Sequence, residues 1–424
     1  MKKLPFDLLF TVYIKLVYMR LRVGLFFSLL NIVCHAQEIS SIDNLYEEAK
    51  KQRSIEIARK ALSHATDSNN IQAMAKIHFL IGYYENQKRM YYNALNSYFK
   101  ALKYYTETGN ITRRYLTVMN IAMIFEKGHF LTESLNLYDN ARELALKEND
   151  SLTTARIDYY RARINRLSKN YSVAESLYQK AMKQFELLKN NYMINETFAE
   201  LGLLYEQKDN MEKALQYYAS SIRPDKKGHI DPYAKVRQMN SVAYCMLSLK
   251  SDPDSVQRLL FDALELAKDK DGLDYLKAKI FGNLAKVYQI EQRADSAITL
   301  FEESLNYLKP KDYSIEYLHT TKLVADYYLK TDPAKADEYQ DKIYSFAEEL
   351  AILQQQLRQS FIQYQVEAAK FKQESLERYE AQLRQQFYHQ IAYVAIVALL
   401  ILFFIQRQRK RQRATLILKK QGAI

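Results

Sequence analysis

One octapeptide pattern returns at a fixed interval and fixes what this chain can fold into. The stretches "ALNSYFKA" (94–101), "SLNLYDNA" (134–141), "AESLYQKA" (174–181) and "ALQYYASS" (214–221) each place a small residue first, an aromatic four positions later and a small residue three after that. Their starts are 40 residues apart, and "AITLFEES" (297–304) repeats the pattern further on. Twelve residues before each start stands another small residue: Gly82, Ala122, Ala162, Gly202 and Ala285. A fixed period of this size is the mark of stacked repeats, each burying its apolar face on its neighbours.

The spacing has a direct physical meaning. Positions i and i+7 lie on one helix face, two turns apart. Small residues there, facing a small residue on the preceding helix, let two antiparallel helices approach closely. The aromatic between them (Tyr98, Tyr138, Tyr178, Tyr218 or Phe301) fills the next gap in the stack. Short polar links such as "TETGN", "KENDS" and "LKNN" separate the helices, and 9 Gly and 6 Pro in 424 residues leave helices little interrupted. No sustained period-2 alternation predicts strands. The fold class expected is all-α: an α-solenoid of helix pairs over 37–345, with degenerate units around 241–264 and 323–343.

At these residues the chain resembles the tetratricopeptide repeat (TPR) family. The sets Gly82–Ala94–Tyr98–Ala101 and Gly202–Tyr205–Ala214–Tyr218 look like that family's small/aromatic signature. The chain departs from it in having no Trp, with His78, Val118, Asp158, Phe198 and Phe281 at the positions where the family often has one. Its period of 40 also exceeds the family's usual 34. The resemblance implies a right-handed superhelix, with the first helix of each pair lining a groove that holds a peptide or a partner helix. Carried over by spacing, that groove includes Phe79, Tyr83, Asn86, Met119, Asn120, Met123, Arg156, Tyr159, Arg163, Arg166, Asn283 and Lys286. Arg156, Arg163 and Arg166 share one helix face, which suits a carboxylate or an acidic segment. The plainer alternative is solvated charge paired with neighbours such as Asp158.

After the repeats the pattern changes. Phe346, Leu350, Leu353, Leu357, Phe361, Tyr364, Ala368 and Phe371 approximate a heptad seam, which predicts a stalk or coiled-coil helix over 346–388 and a candidate homodimer through it. Ile391–Ile405 is then an uncharged run of fifteen residues, about 22 Å as helix. It leads into "RQRKRQR". Of the net charge of +12, residues 1–34 carry +4 and 406–424 carry +7, so +1 remains for all of 35–405. Basic residues concentrated beside apolar runs predict membrane flanks rather than a nucleic-acid grip. The expectation is a transmembrane helix at 389–406 and a short basic cytoplasmic tail at 407–424.

The N-terminus agrees with that orientation. From Met19, "MRLRVGLFFSLLNIVCHAQ" offers two arginines, an apolar run, and Cys34 and Ala36 at the −3 and −1 positions before Gln37. A signal peptide ending at 36, with the true start at Met19, is expected. Lipidation of Cys34 and an uncleaved anchor over 5–34 are the alternatives. Together these features predict a single-pass protein of the cytoplasmic (inner) membrane, its repeats extracytoplasmic and its C-terminus cytoplasmic.

Catalysis finds no support in the sequence. No Gly-rich phosphate loop, HExxH, GxSxG or EF-hand loop occurs, and the seven His are scattered without ligand spacing. The two cysteines, Cys34 and Cys245, cannot form a Cys-based zinc site. No enzyme activity, cofactor, metal or nucleic-acid partner is expected. The expected function is capture of a peptide or protein, either as the input part of a transmembrane signalling or transcription-regulating system or as a tethered scaffold for envelope proteins. The layout resembles membrane-bound bacterial TPR regulators lacking their cytoplasmic effector domain.

Overall fold

The computed structural model describes residues 41–308, apart from 223 and 225–229, and residues 315–420, with 394–420 described by backbone alone. The expected signal peptide, with Cys34 and the start at Met19, lies outside the described residues. The chain divides into two compact units, Met1–Arg358 and Gln359–Ile424.

The first unit is a run of antiparallel helix pairs. It begins with α1 (41–52), α2 (Ile55–Asp67), α3 (Ile71–Gln87), α4 (Tyr91–Glu107), α5 (Ile111–Lys127) and α6 (Leu131–Lys147). It continues with α7 (Ser151–Leu167), α8 (Tyr171–Leu187), α9 (Asn191–Gln207), α10 (Met211–Ala219), α11 (Pro232–Ser248) and α12 (Pro253–Ala267). The last members are α13 (Asp274–Ile290), α14 (Ala294–Tyr307), α15 (Ile315–Thr331) and the start of α16 (Pro333–Lys420). Each odd-numbered helix from α3 to α15 is the first helix of its pair.

The 40-residue period is now explained. From α3 to α9 every helix has 17 residues, and links such as 88–90 and 108–110 have three. The links are built alike. Arg89 adopts a left-handed φ of 60°, its N–H reaches Asn86 O, and the Met90 N–H reaches Glu85 O at 2.9 Å. This is the pair of hydrogen bonds that closes a helix C-terminus. The same left-handed position falls on Gly109, His129, Asn149, Lys169, Lys189 and Asp209. First helices then start on side-chain caps: Asn70, Asn110, Asp150 and Asn190 each accept a backbone N–H three residues on. The first degenerate unit starts both of its helices differently, with Asp231–Pro232 and Asp252–Pro253 supplying cap and first helical residue together.

Packing follows the small/aromatic rule read from the sequence. Tyr98, Tyr138, Tyr178, Tyr218 and Phe301 are buried. A Cβ placed on Gly82 would stand 2.9 Å from Tyr98 Cδ1, and one on Gly202 would stand 2.6 Å from Tyr218 Cδ1 and Cε1. Glycine is required there by ring approach, not by backbone angle. His78, at a position where the TPR family often has Trp, is buried and stacks on Tyr104 at 5.8 Å.

The first part of α16 belongs to this unit. Phe346 packs with Tyr317, Leu308 and Ala278, while Leu353 and Leu357 are buried. The front of the heptad seam is therefore used within the unit rather than left free for a second copy. In the second unit α16 runs from Gln359 to Lys420, and Ile362, Val366, Leu383, Phe387, Tyr388 and Tyr393 are exposed.

The membrane expectation is corrected. Among the described residues no helix is long and apolar enough to cross a membrane. The run 391–405 forms no helix of its own: it is a fifteen-residue part of α16, about 22 Å against a hydrocarbon core of about 30 Å. The single-pass inner-membrane placement, with extracytoplasmic repeats and a cytoplasmic C-terminus, does not stand.

Candidate functional site

The first helices lie side by side, and polar side chains bridge them from one repeat to the next. Lys127 Nζ of α5 donates to Asn86 Oδ1 of α3 at 3.4 Å. Arg163 of α7 pairs with Glu126 of α5 through two contacts, at 2.6 and 2.7 Å. Arg166, almost wholly buried, holds Glu200 of α9 at 3.1 Å and the Gln207 side-chain oxygen at 3.0 Å. Arg237 of α11 grips Glu196 of α9 with both ends of its guanidinium, at 2.7 and 2.9 Å. Asn283 of α13 donates to Asn240 of α11 at 2.9 Å, both buried. The result is a polar ladder from α3 to α13.

The ladder's middle rungs are electrostatically tight. Burial pushes the Glu200 carboxyl up, but Arg166 and Arg163, with the Tyr178 hydroxyl donating at 2.8 Å, outweigh it and hold the group below the usual carboxylate range. Burial of Tyr178, with Glu200 beside it, pushes its phenol well above the ordinary value, so it stays a donor. Burial of charge at this depth is tolerated only because every partner is present.

Two clefts open between adjacent first helices. The α7/α9 cleft, of about 370 Å³, is lined by Leu152, Arg156, Tyr159, Tyr160, Arg163, Asn190, Tyr192, Met193 and Glu196. The α11/α13 cleft, of about 450 Å³, is lined by Tyr244, Leu247, Ser248, Lys286, Gln289 and Ile290. In the second, Lys286 Nζ sits 5.0 Å from the Tyr244 ring centre. A smaller cavity of about 220 Å³ beside it takes in Asn283, Lys286, Phe301 and His319.

The residues expected to line a groove distribute unevenly. Arg156, Tyr159 and Arg163 meet in one cleft. Asn283 and Lys286 share another cavity. Arg166 turns away into the ladder, and Asn86 is a rung. Tyr83 is exposed, with its ring edge-on to Tyr84. Phe79 packs edge-on against Tyr98, Met119 is core, Met123 is half-buried, and Asn120 donates to Leu116 O in its own helix. Asp158 pairs with none of the three arginines expected on one face. It is buried among Arg142, Arg161 and Lys180 instead. Sequence reasoning missed Glu126, Glu196, Glu200, Arg237, Tyr160 and Tyr192. The available signal was a polar residue recurring about one period on, as in 86/127, 166/207 and 196/237. Among the described residues, no cluster of His, Cys, Asp or Glu is placed to hold a metal ion.

No family model matches the chain, and none of the curated proteins matches it. Solved structures do. The Rap conjugation gene regulator of plasmid pLS20, in complex with the Phr* peptide, matches at 17% identity and TM-score 0.51, over 69% of this chain and 79% of that one. The apo form of the quorum sensor NprR from B. thuringiensis matches at 14% identity and TM-score 0.54, over 73% and 87%. NprR in complex with its cognate peptide NprX matches at 13% identity and TM-score 0.52, over 73% and 88%. The fold is that of TPR-like helical repeat proteins.

Proposed function

We propose that this chain is a non-enzymatic binding protein whose first-helix face, from α5 to α13, captures an extended peptide or a segment of a partner protein. The observation that carries the reading is the pair of clefts between neighbouring first helices, each walled by tyrosine and a cation, on a ladder whose own charges are largely neutralised. Rigid tyrosine rings give contact area at low entropic cost, and polar groups between them fix register. The solved structures of like fold that hold a peptide support this reading.

Capture that alters the repeat array gives a regulator or sensor. Capture that leaves it unchanged gives a scaffold. The docking of Phe346, Leu353 and Leu357 on the repeats favours the regulator, because a ligand that shifts the first helices also shifts the surface on which α16 lies.

Panning a random heptapeptide display library against the immobilised full chain tests capture. Peptides are expected to be enriched, and Tyr192→Ala or Lys286→Ala should weaken them, while Phe261→Ala on α12 should not. Enrichment of nothing, or equal loss in all three variants, removes the reading. Hydrogen exchange of 346–358 with and without an enriched peptide then separates regulator from scaffold.

A further inference from the structure

We infer that the cavity of about 220 Å³ enclosed by α13, α14 and α15 is a binding site for one aromatic ring carrying a single hydroxyl or N–H group, the chemistry of a phenol or an indole. Such a ring belongs to a free small molecule or to a Tyr or Trp side chain of a captured segment. The site does not depend on peptide capture.

The cavity exists because one position departs from the repeat. Phe79 and Tyr159 stand at the same place in α3 and α7, counted from the helix starts Ile71 and Ser151. Each sets its ring edge-on to the repeat's aromatic, Tyr98 at 5.6 Å and Tyr178 at 5.7 Å. Met119 is buried at that place in α5, while Ala199 and Asn240 hold it in α9 and α11. In α13 it falls to Gly282. No left-handed φ asks for glycine there, and no ring presses on it as on Gly82 and Gly202: an added Cβ would meet nothing nearer than Ser304 Oγ, at 4.0 Å. Glycine inside a helix is otherwise unfavourable. Its effect is to leave Phe301 without the ring that Tyr98 and Tyr178 have. Among the described residues, no ring meets Phe301.

The walls select the ligand. Ala278, Phe301, Leu308 and Leu323 give the space an apolar lining. An apolar cavity of roughly 150 Å³ already takes up benzene. Thr320 lines the same space; it is buried, and among the described residues its hydroxyl makes no hydrogen bond. A buried hydroxyl without a partner is unfavourable, so a ring bearing one polar group gains from both contacts. Other polar groups nearby are engaged: Asn283 donates to Asn240, and the Ser304 hydroxyl to Ala278 O at 2.8 Å. Lys279, Lys286 and His319 reach the cavity and no carboxylate lines it, which disfavours an aromatic cation. Glu206 of α9 acts on Lys286 from outside the lining.

The test titrates the full chain with para-cresol and skatole, the free forms of the Tyr and Trp side chains, and with toluene and methylcyclohexane for comparison. Ligand-observed NMR should show saturable binding, with para-cresol and skatole tighter than toluene and methylcyclohexane weakest. Thr320→Val should weaken para-cresol roughly 3- to 10-fold, the contribution of one hydrogen bond, and leave toluene unchanged. Gly282→Phe supplies from within the ring that Phe79 and Tyr159 supply in their repeats; it should abolish binding and melt no lower than wild type. Gly282→Ala adds a Cβ in open space, so it should melt higher and still bind. Tyr192→Ala, in the α7/α9 cleft, should change nothing. If heptapeptides enriched on the full chain carry Tyr or Trp, and para-cresol displaces them, the ring is a side chain. If nothing is enriched, or the peptides are indifferent to Gly282→Phe, the site serves free molecules. Absence of saturable ring binding to the wild type, or equal binding by Gly282→Phe, overturns the site and leaves peptide capture standing. So does a Gly282→Phe chain that melts far below wild type while Gly282→Ala does not, because the space for a ring is then missing.

Discussion

Leu357, near the end of the first unit's share of α16, lies directly over Gly128, the residue that caps α5. A Cβ at Gly128 would collide with Leu357 Cδ1 and stand 3.1 Å from the Phe130 ring. The next residue, Arg358, sets its guanidinium 5.8 Å from the centre of that ring. Gly128 has an ordinary φ of −82°, so any residue fits its backbone, and only the approach of α16 demands glycine. The C-terminal helix thus returns to a turn near the start of the repeats.

Gly128→Ala is therefore expected to cost about 1–3 kcal/mol, the usual effect of overpacking a filled site. The loss should be concentrated in α16 rather than in α5, which gains helix propensity at its end. Hydrogen exchange should quicken in 346–358 and stay slow in α5. An unchanged exchange pattern would show that α16 does not rest on this turn.

The Arg166–Glu200 rung offers a double-mutant cycle. Removing Arg166 alone strands a buried carboxylate together with its Tyr178 donor. Arg166→Leu should destabilise by about 3–5 kcal/mol. Arg166→Leu combined with Glu200→Leu should recover much of that, because no unpaired charge remains. Denaturant unfolding of the double variant and of both single variants, Arg166→Leu and Glu200→Leu, measures the coupling, and additive losses would contradict it.

His78 should make stability fall on mild acidification. Its burial, with Lys100 nearby, lowers its pKa to about 4 from the ordinary 6.5. Between those values the unfolded chain binds a proton that the folded chain refuses. Stability is then complete above about pH 6.5 and declines as pH falls toward 4, by roughly 3 kcal/mol in all. The carboxyls of Asp150, Asp158 and Glu200 are held below the usual range, so their contribution fades at lower pH still. In His78→Leu the slope between pH 6.5 and 4 should shrink markedly. A slope equal to wild type would assign the effect to other groups.

Cys245 should resist thiol reagents. It is fully buried, and burial together with Glu206 pushes its thiol up to about 12. Peptide mapping after iodoacetamide should find it unmodified in the native chain and fully modified in denaturant. Native modification at the denatured rate would mean that the α11 region opens readily.

The 40-residue period, the small/aromatic pairs such as Gly82–Tyr98 and Gly202–Tyr218, and the polar links were enough to fix helix pairs stacked as a solenoid. These signals are local: i and i+7 share a helix face whatever the rest of the chain does, and a constant period forces like contacts at each repeat. Arg156, Tyr159 and Arg163 could also be placed together, since they ride one helix face. What the sequence could not supply was the partner on the next helix. Arg163 finds Glu126 behind it, Arg166 finds Glu200 ahead, and Asp158 is satisfied on another side altogether. That choice depends on the lateral offset between neighbouring first helices, which packing of whole repeats sets. The same holds for the heptad stripe, whose periodicity equally suits a partner chain, a stalk or the chain's own repeats. Only the fold, by bringing Gly128 under Leu357, decided that its first turns are buried at home.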